Sequence, residues 1–589
     1  MKRRSSKSFL WLFSIFFFVI CLAEGVLYYG NEIENVFLGI ALIIQNAIEA
    51  FALSSEIKIS DAFALIDTID SSLFHIFLTY MYVITIILAP FCTAGALLLL
   101  AKKPFYYIEG LLKSRKDKVI LIFGEGDNKK SFVNAIKKSV RVIIYEKQEL
   151  SEEEALKYMK DGIVHFTDMG RGTKQTKCLK KMHLDKMDYI LMCDDNSLIN
   201  LYYLKTIYEF FDRYNPKNKD LVCYIQCQEF GMKEVIQRYY DSLTNKYFDL
   251  NIVDIKQKAV NKMFLEHKLY EYNKINNSKD VHLAIIGFGD YGQNTLIQAL
   301  NLGVFSSAST ICIDVFDKDM SNIIGVFLKK FSSDILDCPE ENVPVGDVNA
   351  NYVINLPTPN NQSLQVDGKV VLRFWSVDVG TIQFNRILNN CIKKDIFTYA
   401  VVAVNDKKLM AATLLEIQKL LHNNVPIIVR VNNEEQSFEF LNTITDYNNV
   451  HLINQSKDIY SLESICNEDI VNMAKEFNRK YSEIEADNNR QSVEWIKIPL
   501  FKRESAIAQA MHQEVKEWLL KESPSIEEEH GILEHRRWCL FMISNGYKYK
   551  EGIKNDIIKT NPCICKWDKL LIDKPDMIEH DFTPYQIVK

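Results

Sequence analysis

The chain predicts a membrane-embedded α-helical N-terminus, then two α/β units built on doubly wound parallel sheets, then a small helical region. Three patterns predict this. Long apolar stretches stand before residue 101, a strand, turn and helix cycle recurs through two successive stretches, and the pattern turns helical toward the C-terminus. The boundaries that follow are 1–104, 118–278, 279–465 and 466–589.

At 589 residues there is chain enough for several cores. A net charge of −6 with 25% charged residues excludes the basic footprint of a nucleic-acid binder and the composition of a disordered acidic protein. Cysteines such as Cys193, Cys223 and Cys312 lie inside apolar strands, where a free thiol acts as a small hydrophobe, which fits a reducing cytosol. Cys563 and Cys565 form a C-x-C without a second ligand pair, so no zinc site is expected.

The first transmembrane helix is expected at about 8–29, apolar apart from Ser14 and Glu24 and preceded by Lys2, Arg3, Arg4 and Lys7. No A-x-A-like cleavage site follows, so it is read as retained. The second is expected at about 73–100, bent at Pro90 and followed by Lys102, Lys103, Lys113, Arg115, Lys116 and Lys118. Between them Glu32, Glu34, Glu49, Glu56, Asp61, Asp67 and Asp70 stand against a single Lys58, so both ends face the cytoplasm and this loop faces outward. The apolar stretch at about 36–54 is interrupted by Gln45, Asn46 and Glu49. A third full span would put the basic flank on the wrong side, so a re-entrant or interfacial helix is expected, its polar residues lining a pore or facing water. Glu24 is expected as an interfacial carboxylate near the outer end of the first span. The loop holds no T-V-G-Y-G-like filter.

The later α/β unit opens with V-H-L-A-I-I-G-F-G-D-Y-G-Q-N-T-L, Val281 to Leu296: a buried strand, a glycine-rich turn and a helix start. Gly287 permits the tight turn, Gly289 lets backbone N–H groups approach a pyrophosphate, and Gly292 allows close helix packing, with the helix dipole toward the phosphates. A second strand, Thr310 to Ile313, leads into Asp314 and Asp317, where a carboxylate would meet a ribose hydroxyl. Strands at Val370 to Phe374, Ala400 to Val404 and Ile427 to Val431 complete a Rossmann-like sheet. Such a fold keeps this pattern even when its ligand is lost.

The earlier unit repeats the plan with strand V-I-L-I-F from Val119, then Gly124, Gly126 and, in place of the third glycine, Lys129. That lysine disfavours a tightly packed dinucleotide turn, although a lysine at a helix start also suits a phosphate. The next strand, Val142 to Tyr145, ends in Glu146, placed for a ribose contact, and strands follow at Ile163 to Phe166, Tyr189 to Cys193 and Leu221 to Ile225. Asp194, Asp195 and Asn196 in this unit, and Asn405 and Asp406 in the other, follow corresponding strands where open sheets bind ligands. The same residue types cap helices.

Two spans, a basic linker and tandem units with G-E-G-D-N-K and G-F-G-D-Y-G resemble the RCK (TrkA-N-like) domains that regulate potassium-channel conductance and the nucleotide-binding subunits of bacterial potassium-uptake systems. The resemblance covers Val119 to Asn454. It implies rings of such domains acting on pore helices, a homo-oligomer (dimer or tetramer), and nucleotide sites lined by Gly124, Gly126 and Glu146 and by Gly287, Gly289, Gly292 with Asp314 or Asp317.

The C-terminal region carries Leu533-Glu534-His535-Arg536-Arg537-Trp538, then Asn545-Gly546-Tyr547, Asn561-Pro562, Trp567-Asp568-Lys569-Leu570 and Asp581. This pattern resembles the ryanodine-receptor repeat (RyR) domain. Glu534, His535 and Arg537 with Trp538 and Tyr547 suit a polar pocket with an aromatic wall. The competing structural reading is a buried ion pair that orients the helix, and for Trp538 a core position is the preferred one.

Together the resemblances imply a ligand-gated channel or pore-forming effector in the bacterial inner (cytoplasmic) membrane, multi-pass with both termini cytoplasmic. Its partners would be the lipid bilayer and a nucleotide-type messenger such as NAD, ATP, a cyclic nucleotide or an ADP-ribose derivative, in a setting of antiphage defence. The alternative is a non-pore regulatory subunit of an ion transporter. An oxidoreductase is not expected, because no paired acid and base with a substrate domain stands out.

Overall fold

The structure, a computed structural model, describes residues 6–29, 36–52, 57–58, 60–61, 64, 73–113, 116–147, 150–167, 173–214, 221–336, 340–357, 366–421, 424–431, 449–454, 459–466, 468–487 and 493–588. The chain forms two compact units, residues 1–115 with 150–163, and residues 116–149 with 164–589.

The first unit holds helices α1 (Ser6–Tyr29), α2 (Val36–Ala50), α3 (Leu73–Lys113) and α5 (Glu152–Lys160). Ile76–Thr93 is long and apolar enough to cross a membrane, while Phe13–Tyr29 and Leu38–Ala50 are shorter apolar helices. Helix α3 continues through Pro90 and past residue 100 to Lys113, so the expected end of the second span is not a helix end. All three N-terminal helices expose large apolar side chains, among them Phe16, Val19, Leu38, Ile48, Phe77 and Phe91. The interior is packed from apolar residues such as Phe17, Ile20, Ala47, Leu78 and Ala89, and it also buries the polar groups Glu24, Asn46, Thr79, Tyr82 and Thr85. Asn46 Nδ2 donates to Tyr82 Oη at 3.2 Å and Thr79 Oγ1 to Glu24 Oε1 at 3.4 Å. Glu24 is thus 1% exposed instead of interfacial, because α1 turns that face onto α3. Gly25 is where α2 comes close, since a Cβ there would stand 3.2 Å from Ile43 Cγ2. Glu32, Glu34, Glu56, Asp67, Asp70 and the basic residues Lys2, Arg3, Arg4 and Arg115 lie outside the described residues.

In the second unit, six strands form one parallel sheet in the order β3-β2-β1-β4-β5-β6: β1 (Val119–Phe123), β2 (Arg141–Glu146), β3 (Val164–Thr167), β4 (Tyr189–Met192), β5 (Val222–Gln226) and β6 (Asp249–Val253). Helices α4 (Asp127–Ile136), α6 (Thr173–Lys181), α7 (Ser197–Tyr214), α8 (Phe230–Ser242) and α9 (Ile255–Glu266) alternate with them. This is the doubly wound order 3-2-1-4-5-6.

The second sheet runs β14-β13-β12-β7-β8-β11-β10-β9, from β7 (Val281–Ile286), β8 (Thr310–Asp317), β9 (Glu340–Val345), β10 (Val348–Leu356), β11 (Lys369–Ser376), β12 (Tyr399–Val402), β13 (Ile427–Val431) and β14 (Val450–Asn454). Its parallel strands repeat the first order, with β11, β8, β7, β12, β13 and β14 as strands three, two, one, four, five and six. Into this plan is inserted the antiparallel hairpin β9–β10, turning at Gly346-Asp347 and pairing on the outside of β11. Helices α10 (Asp290–Leu302), α11 (Met320–Leu328), α12 (Ile382–Lys394) and α13 (Lys407–Leu420) accompany it. All six residues of β7 are buried, each large aliphatic one contributing about 1.5–3 kcal/mol of burial, which is why this strand stands out in the sequence.

The C-terminal helices are α14 (Glu468–Asp487), α15 (Leu500–Met511), α16 (Gln513–Glu522), α17 (Glu528–Ser544), α18 (Trp567–Asp573) and α19 (Ile578–Val588). They dock on both sheet regions. Leu500 joins the first core, and Arg503 Nη1 reaches Asp249 Oδ1 at 2.5 Å.

Candidate functional site

Of three places that bring expected site residues together, the first closes on itself and the other two stay open.

In the first α/β turn, Gly124 and Gly126 have φ of 122° and 105°, which favours glycine. The groups that would meet a nucleotide are already engaged. Lys129 Nζ is buried between Glu146 Oε1 at 2.7 Å and the Tyr145 carbonyl at 2.9 Å. Asp194 accepts from Glu125 N at 3.0 Å and Asn196 N at 2.9 Å, and Asn196 Oδ1 accepts from Leu198 N at the start of α7. Asp195 Oδ1 takes Asn128 Nδ2 at 2.9 Å, and a Cβ on Gly126 would lie 2.0 Å from the Asp195 carboxylate. Tyr460 Oη donates to Asn128 Oδ1 at 2.9 Å and its ring meets Phe132 edge-on. The chain's own side chains fill this turn.

The second turn is more open. Gly287 has φ 96°, and a Cβ there would stand 2.9 Å from the Ala403 carbonyl. At Gly292 it would stand 2.1 Å from the Gly287 oxygen, and at Gly289 it would meet nothing within 4 Å. Asp317 ends β8 beside the turn, accepting from Phe288 N at 2.7 Å and Asp319 N at 2.8 Å. Asn405 and Asp406 follow β12, the neighbour of β7. Asn405 Oδ1 accepts from Arg430 Nη1 at 3.4 Å, and Asp406 caps α13 through Leu409 N at 2.8 Å.

Asp314 is not at this edge. Strand β8 runs on to Asp317, which leaves Asp314 in mid-strand and fully buried. There it binds Arg373 Nε at 2.8 Å and Nη2 at 2.6 Å, His282 Nε2 at 2.6 Å and Trp375 Nε1 at 2.8 Å. Burial alone would raise its pKa, but the His282 hydrogen bond and the Arg373 charge hold it well below the usual carboxylate range. Cys312 stands near His282 and Asp314, yet the Arg373 cation touching both of those groups opposes a second cation there.

The third place is a cavity of about 730 Å³ among the C-terminal helices, within the size range of small-molecule sites. Helix α17 builds one wall. Its start is fixed by a reciprocal cap between Glu527 and His530, and it ends where Gly546 takes φ 89°. Spacings of three and four residues put Glu534, His535, Arg537 and Trp538 toward the cavity. Glu534 is fully engaged by Arg537 Nη2 at 2.6 Å, Arg537 Nε at 2.9 Å, Gln509 Nε2 at 2.9 Å and Lys516 Nζ at 3.0 Å. Burial pushes its carboxyl up, but Arg537 and Lys516 outweigh this and hold it at about 2. Burial lowers the Lys516 amine to about 8 against the pull of Glu534.

Arg537 therefore spends two of its three nitrogens on Glu534. Its Nη1, buried in the cavity wall, has no hydrogen-bond partner among the described residues. His535 has acceptors on both sides, Asp581 Oδ2 at 3.2 Å from Nδ1 and the Cys565 carbonyl at 2.9 Å from Nε2, so both nitrogens carry protons. Trp538 stacks on His535 with centroids 5.9 Å apart and is partly exposed along the cavity, contrary to the core position preferred from sequence. Tyr547 does not reach the cavity itself. It is buried, donates to Asp556 at 2.8 Å and stacks on the cavity residue Phe501. Sequence reasoning misses Gln509 and Lys516, which sit on α15 and α16 with no motif of their own.

No protein family model and no curated protein matches the sequence. Among solved structures, the GsuK L97D mutant is similar at 12% identity and a TM-score of 0.33, covering 79% of this chain and 99% of that one. The GsuK channel bound to NAD is similar at 10% identity and 0.34, covering 79% and 85%. A D-isomer specific 2-hydroxyacid dehydrogenase from Xanthobacter autotrophicus Py2 is similar at 12% and 0.19, covering 70% and 99%.

Proposed function

We propose that the chain is a ligand-gated membrane channel whose C-terminal cavity senses a planar, anionic small molecule of the nucleotide type. Arg537 carries the reading. A buried guanidinium edge with no partner costs stability unless a ligand supplies an acceptor, and it lines a cavity large enough to hold one. The partly exposed ring of Trp538 suits stacking, and the spare Arg537 donor suits an anionic acceptor. The role proposed is binding without catalysis, since Glu534 and His535 are both tied into ion pairs. The open turn at Gly289 is proposed as a second nucleotide contact.

The membrane part of the proposal is supported by the N-terminal helices, which expose large apolar side chains such as Phe16, Val19, Leu38, Phe77 and Phe91 while burying Glu24, Asn46 and Tyr82. The antiphage setting is proposed from the domain resemblance alone.

The test is ion flux from liposomes containing the full-length chain, with NAD, ATP, cyclic nucleotides and ADP-ribose offered in turn. Flux that needs one of them and is lost in Arg537→Lys is the expected result. Binding without flux would point to a regulatory subunit of a transporter, and neither binding nor flux would overturn the proposal.

A further inference from the structure

Ile553 belongs to the lining of the C-terminal cavity and is nevertheless 93% exposed, so it stands at the mouth of that cavity and covers nothing. Gly552 and Lys554 line the same edge, in the chain that joins α17 to α18. The base of this loop is pinned. Lys548 N donates to the Lys559 carbonyl at 2.9 Å, Asn561 N to the Lys548 carbonyl at 3.0 Å, and Asn555 and Thr560 exchange two backbone hydrogen bonds at 2.9 Å. Asn555 Oδ1 also accepts from Ile557 N at 2.9 Å and Ile558 N at 3.2 Å, and Asp556 Oδ1 takes Tyr547 Oη at 2.8 Å. Residues 555–561 are therefore fixed.

The cavity side of the loop is not. Among the described residues, no hydrogen bond holds a backbone group from Lys550 to Lys554. Tyr549 packs against the cluster around Trp567 and Lys554 pairs with Asp556 at 2.9 Å, so the stretch is held at its two ends only. Between them Glu551 has exposed partners alone, Tyr549 Oη at 3.3 Å and Lys569 Nζ at 3.9 Å. Gly552 turns the chain with φ 106° and has nothing within 4 Å of where a Cβ would stand. A stretch with so few ties changes conformation at little cost.

An isoleucine side chain gains by leaving water only where it meets other atoms. The cavity of about 730 Å³ is far larger than one isoleucine fills, so folding Ile553 inward over an empty cavity brings little contact. A ligand supplies the missing surface. Ile553 carries no polar side-chain atom, so the part of the ligand it meets is a ring or another apolar group, while the anionic part belongs with Arg537.

We propose that Lys550–Lys554 is a lid, which closes Ile553 over a ring of the ligand bound in the C-terminal cavity. The lid rests on the reading of that cavity as a sensor site. It deepens that reading, because the site is complete only once the loop has moved.

The test is hydrogen exchange in the full-length chain in detergent, with NAD, ATP, cyclic nucleotides and ADP-ribose offered in turn and binding followed by calorimetry in the same samples. In the free chain residues 550–554 should exchange fast and residues 555–561 slowly; equal protection of the two would overturn the lid without any ligand. A nucleotide that binds should slow 550–554 and leave 555–561 unchanged. Ile553→Ser should weaken its binding about tenfold, chiefly through faster dissociation, with Tm of the free chain unchanged. Ile557→Ser removes a side chain that is 77% exposed on the pinned part and outside the lining, and should change neither. Binding that leaves 550–554 unprotected, or undiminished affinity in Ile553→Ser, would overturn the lid and leave the sensor standing. Binding of none of the nucleotides would overturn the sensor and the lid with it.

Discussion

Arg536 and Arg537 are consecutive on α17 and serve opposite sides of it. Arg537 closes on Glu534 in the cavity wall, while Arg536 leaves the C-terminal helices to grip the edge of the second sheet, donating to the Ser306, Ser309 and Lys369 carbonyls at 2.7, 2.9 and 3.2 Å. A ligand that moved Arg537 would pull on the helix that holds the β8 and β11 starts. Arg537→Lys keeps a charge for Glu534 but loses the spare donor and one of the two hydrogen bonds to that carboxylate, so ligand affinity should fall most, with a smaller loss of stability of about 1 kcal/mol. Arg536→Met should do the reverse, costing about 2–4 kcal/mol through stranded carbonyls. Urea unfolding and hydrogen exchange at residues 306–309 separate the two; equal effects on affinity would show that the pair does not divide the work.

The three glycines of the second turn give a second prediction. Gly287→Ala forces a Cβ into a positive-φ backbone and the Ala403 carbonyl, and Gly292→Ala meets the Gly287 oxygen, so both should lower Tm. Gly289→Ala meets open space at an ordinary φ of −65° and should leave Tm unchanged. Calorimetric titration with NAD and ATP should nevertheless show weaker binding in Gly289→Ala. Retained affinity would mean that the turn only shapes the fold.

Much of the fold is legible in the sequence where a strand is buried on both faces. Val281 to Ile286 announces itself as an unbroken apolar run, and the glycines after it mark the turn. The β9–β10 hairpin is not legible, because Glu340, Glu341, Asn349 and Asn351 interrupt its apolar pattern and it pairs on one side only. Asp314 and Asp317 look alike in sequence. Only the strand register, which sets Arg373 directly opposite Asp314, separates a core ion pair from an edge carboxylate. Similarly, the α17 motif points at the C-terminal cavity, but Gln509 and Lys516 become its partners through helix packing that no local spacing records.

That register makes Asp314 a structural residue with a definite cost. Asp314→Asn leaves Arg373 and His282 buried without their carboxylate and should destabilise the second sheet by about 3–5 kcal/mol. The folded carboxyl lies below its unfolded value near 3.9, so its contribution is complete above that pH and fades only as the pH falls through the folded value. Denaturant unfolding at pH 5 and pH 7 should show the same penalty, and NAD affinity of the folded fraction should not change. A variant as stable as the parent would overturn this assignment.

His535 should give the C-terminal region its pH dependence in the opposite sense. Burial lowers the imidazole, but Cys539 and Asp581 together raise it well above its ordinary value, while Asp581 itself is pushed up by burial against the pull of His535. The groups facing the ring are Asp581, Cys539 Sγ at 3.5 Å, the Cys565 carbonyl and the rings of Trp538 and Trp567. A folded pKa above the unfolded one means that the folded state holds the extra proton. The stabilisation is therefore complete below about pH 6.5 and is lost as the pH rises toward the folded value, at roughly 1.4 kcal/mol for each pH unit climbed. Full-length protein and His535→Gln should differ most in unfolding free energy near pH 6 and converge in the alkaline range. Parallel profiles across that range would show that His535 is neutral in the folded chain and that the acceptors on its two nitrogens do not hold a second proton.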